Sequence, residues 1–201
     1  MSENFKRVVD NGWAISPLAT AVRLSALDKE RYIPARHLKI ISDAIVDSVT
    51  KRDPRFPVIS MPPRHGKSWL ISRYSPTWYL KNWPHKKVMI TGYGSDFAKS
   101  WGRLTRNDAV KHQNILGFEV AKDSKAAETW HTDQGGGVVT AGIGSGITGK
   151  GADLLIIDDP IKNAKEAFSS SYREAVWDWY QTTARTRLHK GGTIVIVMTR
   201  W

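Results

Sequence analysis

The sequence predicts an α/β fold in which helices flank a mostly parallel β-sheet. Three observations predict it. Strand-like apolar runs alternate along the chain with segments of helical periodicity. The run 154–157 is continuously apolar, which is typical of a strand buried on both faces of a parallel sheet. The short run 58–61 passes through a tight loop into a periodic segment at 69–80, which is a strand–loop–helix unit.

Capping residues predict where the other helices begin and end. Pro34 suits the first turn of a helix with an apolar stripe. Ser95 is the predicted N-cap of a second helix. Ser171 and Glu174 have the spacing of a capping box for a third, and Gly191-Gly192 is expected to end it.

Three more apolar runs predict the remaining strands, at 86–92, 138–141 and 193–199. The segment 110–135 is polar and is expected to be irregular. The segment 142–151 is rich in glycine and predicts a loop before the strand at 154–157.

The most informative motif is the loop 61–68, which ends in Gly66-Lys67-Ser68 at the start of the predicted helix. This setting is typical of a P-loop, whose backbone N–H groups hold the phosphates of a nucleoside triphosphate. Lys67 would reach the β- and γ-phosphates, and the Ser68 hydroxyl would bind Mg²⁺. The common pattern GxxxxGK[ST] begins with Gly, whereas this chain has Met61.

Two carboxylates supply the second half of the predicted site. Asp158 and Asp159 follow the apolar run directly, at the edge of a parallel sheet where ligands bind. Asp158 fits the Walker B role of holding Mg²⁺. Asp159 is the candidate that orients the attacking water, with Glu166 as the alternative acid.

Composition narrows the class of protein. The chain has 201 residues, and 30 basic against 19 acidic side chains give a net charge of +11, which favours a polyanionic partner such as nucleic acid. The absence of cysteine excludes disulfides and thiolate metal sites. No apolar run approaches the ~20 residues that span a bilayer, and no signal peptide is visible, so we expect a cytosolic setting without a membrane.

Three separated segments together resemble the large subunit of tailed-bacteriophage terminases, the motors that pump DNA into empty capsids. They are 62–68, 147–160 with Lys162, and Thr199-Arg200-Trp201. The resemblance runs from about Tyr32 to the last residue. It implies a P-loop NTPase fold of the ASCE or RecA-like type, with ATP and Mg²⁺ as cofactors.

The resemblance also implies roles for individual residues. The P-loop of that family lacks the first glycine and carries an internal arginine. By this resemblance, Arg64 matches the arginine that contacts the γ-phosphate in cis. Thr199 stands in the motif that couples hydrolysis to DNA movement. The resemblance implies that Arg36 or His37 contacts the adenine and that the phosphates are bound by Pro63, Arg64, His65, Gly66, Lys67 and Ser68. It implies Ser68 and Asp158 as metal-binding residues, and as catalytic residues Arg64, Lys67, Asp159 and Thr199. It also implies that Arg103 or Arg106 is an arginine supplied to a neighbouring subunit.

The resemblance further implies partners and a domain organisation. Residues 1–201 are expected to form one ATPase domain, with about 1–30 as an N-terminal extension and without the nuclease domain of the family. The implied partners are double-stranded DNA held through its backbone, a portal protein, a small terminase subunit and further copies in a ring on the procapsid, in the host cytoplasm.

Two alternatives remain open from the sequence. A helicase-like ATPase would carry a Glu after the Walker B Asp and a second RecA-like domain. A nucleotide-dependent DNA-binding or assembly module would bind ATP without efficient hydrolysis. ATP turnover with and without DNA discriminates the enzyme from the module.

Overall fold

The computed structural model describes residues 12–51, 56–124, 126–147 and 149–200. The six strands are β1 Val58–Ser60, β2 Lys87–Gly92, β3 Thr129–His131, β4 Gly137–Gly142, β5 Ala152–Asp158 and β6 Leu188–Met198. The α-helices are α1 Pro17–Leu27, α2 Arg36–Thr50, α3 Ser75–Asn82, α4 Ser95–Lys111, α5 Gln113–Leu116, α6 Ala164–Phe168 and α7 Ser170–Trp179. Two π-helical segments, Trp69–Tyr74 and Tyr180–Ala184, and two 3₁₀ turns, Gly12–Ala14 and Arg185–Arg187, complete the described elements.

The strands form one sheet in the order β1-β6-β5-β2-β4-β3. Every neighbouring pair is parallel except β3 and β4, so the predicted mostly parallel α/β sheet is confirmed. Strand β6 lies between β1, which leads into the P-loop, and β5, which ends in the two carboxylates. Within the described ranges, none of the helices has the length and hydrophobicity of a membrane span.

Strand β5 is buried on both faces, as its continuous apolar run predicts. Leu154 and Ile156 pack into the cluster formed with α1, α2 and α3. Leu155 and Ile157 alternate with them and pack on the opposite face, against Trp179. Helices therefore cover both sides of the strand that carries the carboxylates.

The register of the parallel strands determines which residues meet at the carboxyl edge. Ser60 at the end of β1 is opposite Met198 in β6, and Asp158 at the end of β5 is opposite Val197. Because these strands run in the same direction, the loop after β1, the residues after β5 and Thr199 after β6 share one edge of the sheet.

The helix after the P-loop accommodates Pro76 by beginning as a π-helix. Proline lacks an N–H and cannot donate to the carbonyl four residues earlier. The helix is wider just before Pro76, because the Ser75 N–H donates to the Leu70 carbonyl five residues back. The helix therefore changes type just before Pro76, from the π-helical Trp69–Tyr74 to the α-helical Ser75–Asn82.

Several predicted boundaries are wrong. Helix α4 is capped by the extended Gly94 and not by Ser95, which is its first residue. Helix α7 is capped by Ser169, whose Oγ accepts the Tyr172 N–H, so the capping box at Ser171 and Glu174 does not form. Gly191-Gly192 does not end that helix but lies within β6, where the pairing with β5 shifts register and Gly191 has a φ of +79°.

Two segments differ in content from the prediction. Helix α2 begins at Arg36, two residues after Pro34. The stretch 110–135 contains the end of α4, the short helix α5 and strand β3, which pairs antiparallel with β4. In the predicted N-terminal extension, Pro17–Leu27 is helical, and residues 1–11 lie outside the described residues.

Candidate functional site

The P-loop leaves the sheet at Met61 and turns back into the helix. The Met61 N–H donates to the Met198 carbonyl at 3.2 Å, which extends the β1–β6 pairing by one residue. Arg64 and Gly66 both have left-handed backbones, with φ of 63° and 78°. Glycine adopts this conformation without strain, which explains Gly66. The side chains of Arg64 and His65 are exposed to solvent.

Lys67 is the buried cation of the site. It is 6% exposed, and its Nζ donates to Asp159 Oδ2 at 2.5 Å. The pair joins residues 92 positions apart, so it exists only because the P-loop and the end of β5 share one sheet edge. The arrangement brings two of the four sequence-predicted catalytic residues, Lys67 and Asp159, into direct contact.

Asp159 is held by Thr199 as well as by Lys67. The Thr199 N–H and hydroxyl donate to Asp159 Oδ1, at 2.6 and 3.0 Å. The backbone of Asp159 has a left-handed φ of 44°, which costs free energy for a residue other than glycine. Its N–H donates to the Val197 carbonyl and its own carbonyl accepts the Tyr93 N–H, so neighbouring strands maintain this conformation.

Asp158 is fully buried and accepts two hydroxyl hydrogen bonds. Ser68 Oγ donates to Oδ1 at 3.0 Å, and Ser72 Oγ donates to Oδ2 at 2.7 Å. Burial raises the pKa of Asp158 to about 6, and the negative charge of Asp159 adds to the rise. The hydrogen bond from the Ser72 hydroxyl, the positive charge of Lys67 and the hydrogen bond from the Ser68 hydroxyl oppose it. Sequence reasoning missed Ser72, although its spacing of four residues from Ser68 on one helix was a usable signal.

The residues fit a magnesium nucleotide. Ser68 and Asp158 offer a hydroxyl and a carboxylate, the oxygen ligands that Mg²⁺ prefers, within one hydrogen bond of each other. Mg²⁺ in nucleotide sites keeps several waters and takes one or two carboxylates together with phosphate oxygens. In the described part of the chain no group of three or more His, Cys, Asp or Glu side chains could hold a metal ion.

The segment before the P-loop lies against it. The His37 Nε2–H donates to the His65 carbonyl at 3.0 Å, and the two imidazole centroids are 6.1 Å apart. The His65 Nδ1–H donates in turn to the Pro63 carbonyl at 2.8 Å. Arg36 is exposed at the first position of α2. The structure therefore brings His37 beside the loop, and its contact with the base stays a prediction.

The two candidate trans-acting arginines differ in their surroundings. Both lie on α4, and neither is among its fully buried residues. Arg103 is exposed, whereas Arg106 is partly buried and donates through Nε to the Ser124 carbonyl at 3.3 Å. Arg103 is thus the better placed of the two to reach another subunit.

Glu166, the alternative catalytic acid, has a local role. Its carboxylate accepts the Lys162 N–H at 3.0 Å and an Asn163 amide N–H at 3.2 Å. Asn163 in turn caps the same helix by accepting the Glu166 N–H. Glu166 therefore stabilises the start of α6, while Asp159 contacts Lys67.

Comparison with known proteins gives the family. Residues 58–201 match the family model described as terminase large subunit, T4likevirus-type, N-terminal. The chain belongs to the terminase large subunit family. The match begins at β1 and includes the P-loop, both carboxylates and Thr199. No curated protein matches the terminase chain.

Solved structures of large terminases resemble this chain. The large terminase of bacteriophage HK97 superposes with a TM-score of 0.52 at 11% identity, over 84% of this chain and 34% of that one, and so shows the same fold. The large terminase of a thermophilic bacteriophage, in complex with ATP-γ-S, gives a TM-score of 0.45 at 14% identity, over 77% of this chain and 37% of that one. The chain thus spans about a third of the length of the large terminases that it matches.

Proposed function

We propose that this chain is the ATPase motor domain of a terminase large subunit, which hydrolyses ATP in order to move double-stranded DNA into a procapsid. The observation that carries the proposal is the convergence of Lys67 and Ser68 from the P-loop with Asp158 and Asp159 from β5. Thr199 from β6 completes the group through two hydrogen bonds to Asp159. Family membership supports the same proposal.

Each of these residues would have a separate role in the transfer of the γ-phosphoryl group to water. Lys67 and the backbone N–H groups of the P-loop would bind the phosphates and neutralise charge that develops on the γ-phosphoryl group. Arg64, exposed in the same loop, would add positive charge there. Asp159 would accept a hydrogen bond from the attacking water and so orient it. A bound Mg²⁺, held by Ser68 and Asp158, would supply further charge neutralisation.

The pairing of Lys67 with Asp159 has a consequence for this assignment. The Lys67 ammonium group neutralises the Asp159 carboxylate, which is proposed to orient water. A phosphate that attracts Lys67 would release Asp159 Oδ2 for hydrogen bonding to water, while Thr199 continues to hold Oδ1.

The partners are proposed from charge and from the family. A net charge of +11 provides contacts to DNA phosphates without reading bases, which suits a motor that moves along any sequence. A portal protein, a small terminase subunit and a ring of identical subunits on the procapsid, assembled in the host cytoplasm, are the setting in which such a domain would act.

Nucleotide turnover tests the proposal. We expect Lys67→Ala to lower ATP hydrolysis at least about 100-fold and to weaken ATP binding, because the buried cation of the loop is lost. Lys86→Ala is a matched control, since Lys86 forms a 3.0 Å ion pair with Asp153 at the opposite edge of the sheet. Equal turnover in the Lys67 variant and the wild type would refute the P-loop assignment.

The effect of DNA on ATP turnover distinguishes the proposed motor from the two alternative functions. A packaging motor is expected to turn over ATP faster with double-stranded DNA of any sequence. Stimulation by single strands alone would favour the helicase-like ATPase. Tight ATP binding without turnover, with or without DNA, would favour the assembly module.

A further inference from the structure

Ser72 makes an unusual hydrogen bond for a buried serine in a helix. Ser25 and Ser48 donate their hydroxyls to carbonyls four residues earlier, Ser48 at 2.8 Å. This local bond is the usual solution for a helical serine. Ser72 is fully buried, yet its hydroxyl donates to Asp158 Oδ2 at 2.7 Å, across 86 positions of the chain.

The two oxygens of Asp158 are therefore held by two different hydroxyls of one helix. Ser68 binds Oδ1 and Ser72 binds Oδ2. A carboxylate with one hydrogen bond can rotate about its last side-chain bond, whereas one with a separate donor on each oxygen cannot do so without losing a bond. Ser72 contacts the oxygen that does not face the P-loop serine.

The helical turn that carries Ser72 is itself fixed. It is the π-helical segment Trp69–Tyr74. The next side chain, Arg73, forms a buried bidentate pair with Asp108 of α4, with both N–O distances at 2.8 Å. The Arg73 guanidinium also lies 4.8 Å from the Trp69 ring and 4.9 Å from the Tyr74 ring. These contacts anchor the turn to α4, so the direction of the Ser72 hydroxyl is set by packing.

We propose that Ser72 is a positioning residue of the nucleotide site: its hydroxyl fixes Asp158 Oδ2, keeps Oδ1 on Ser68 and so orients the carboxylate that would hold Mg²⁺. The inference rests on the proposed function, because it assigns Ser72 a part in metal binding at that site. Groups that hydrogen-bond to a metal-binding carboxylate orient it, and their loss commonly weakens metal affinity by about 10- to 100-fold.

Binding of a fluorescent non-hydrolysable ATP analogue, titrated with Mg²⁺, tests the inference without relying on turnover. We expect Ser72→Ala to raise the Mg²⁺ concentration for half-maximal binding by about 10- to 100-fold. Binding of the analogue in EDTA should change less than about twofold, since the phosphate-binding loop is intact. Ser72→Thr keeps a hydroxyl and is expected to restore much of the magnesium dependence.

Ser48→Ala is the matched control, because Ser48 is equally buried, donates a hydrogen bond of similar length and lies in α2 away from Asp158. It should show wild-type magnesium dependence. A crystal structure of ligand-free Ser72→Ala supplies a second measurement, in which the Asp158 carboxylate is expected to rotate and lose the Oδ1 contact with Ser68.

The outcomes separate the two proposals. Wild-type protein whose analogue binding does not respond to Mg²⁺ would overturn the proposed function. A wild type that responds, together with a Ser72→Ala variant that has the same magnesium dependence and the same Asp158 orientation, would overturn the role of Ser72 and leave the proposed function standing.

Discussion

Thr199 holds Asp159 through both its backbone N–H and its hydroxyl, which donate to the same carboxylate oxygen at 2.6 and 3.0 Å. Thr199 follows β6, and β6 lies between the strand that leads to the P-loop and the strand that ends in Asp158, next to Asp159. A displacement of the end of β6 would therefore move the carboxylate that contacts Lys67. This contact gives the predicted coupling motif a direct physical connection to the proposed catalytic residue.

Asp159→Asn is expected to lower ATP turnover by about 100-fold or more, because an amide orients and polarises water poorly. ATP binding should stay equal or become tighter, since Lys67 loses the carboxylate that competes with phosphate. Single-turnover kinetics and equilibrium binding separate the two effects. Glu166→Gln is the control and should turn over ATP normally, whereas loss of turnover there with a normal Asp159 variant would reassign the catalytic acid.

Asp158→Asn is expected to abolish the Mg²⁺ dependence of nucleotide binding and yet to stabilise the ligand-free fold at neutral pH. The folded protein raises the pKa of Asp158 to about 6, so it binds the proton more tightly than the unfolded chain does. The contribution of Asp158 to the free energy of unfolding of the wild type is therefore greatest at low pH, and it falls as the pH rises from about 4 to 6. At neutral pH the cost of the buried charge is no more than about 3 kcal/mol.

Chemical denaturation of wild type and Asp158→Asn at pH 4 and pH 7 measures this difference. The variant should gain stability relative to the wild type at pH 7 and lose that advantage at pH 4. A constant difference at both pH values would show that the carboxyl group titrates alike in folded and unfolded protein.

Arg103 is expected to complete the site of a neighbouring subunit in the proposed ring. Arg103→Ala alone and Lys67→Ala alone should each have low turnover, and a mixture of the two should regain part of it. Arg106→Ala is the comparison, because the Arg106 side chain already donates to the Ser124 carbonyl. Mixtures that form rings and regain nothing would exclude a shared arginine at Arg103.

DNA binding is expected to be weak, independent of sequence and steeply sensitive to salt. Each phosphate contact contributes about −0.9 to the slope of log affinity against log salt for duplex DNA. Fluorescence anisotropy with two unrelated duplexes between about 50 and 200 mM salt measures both properties. A strong preference for one duplex, or an affinity that does not change with salt, would contradict binding through the backbone.

The fold class and the two halves of the site can be predicted from the sequence. The continuous apolar run at 154–157 is typical of a strand covered on both faces. Gly66-Lys67-Ser68 at the start of a helix is typical of a phosphate-binding loop. These features are local, because they depend on the spacing of residue types within one element. The pairing of Lys67 with Asp159 could be expected in outline, from the rule that parallel strands present their carboxyl ends at one edge.

The hydrogen-bond partners of the site side chains depend on how the strands and helices pack in three dimensions. Strand order placed β6 between β1 and β5, which put Thr199 against Asp159, and no local pattern encodes the order of strands. Ser72 was missed because its partner is 86 residues away and a local carbonyl was the usual alternative. The errors at Ser95, Ser171 and Gly191-Gly192 have a similar origin, since several nearby residues can cap a helix or break a pattern and packing selects among them.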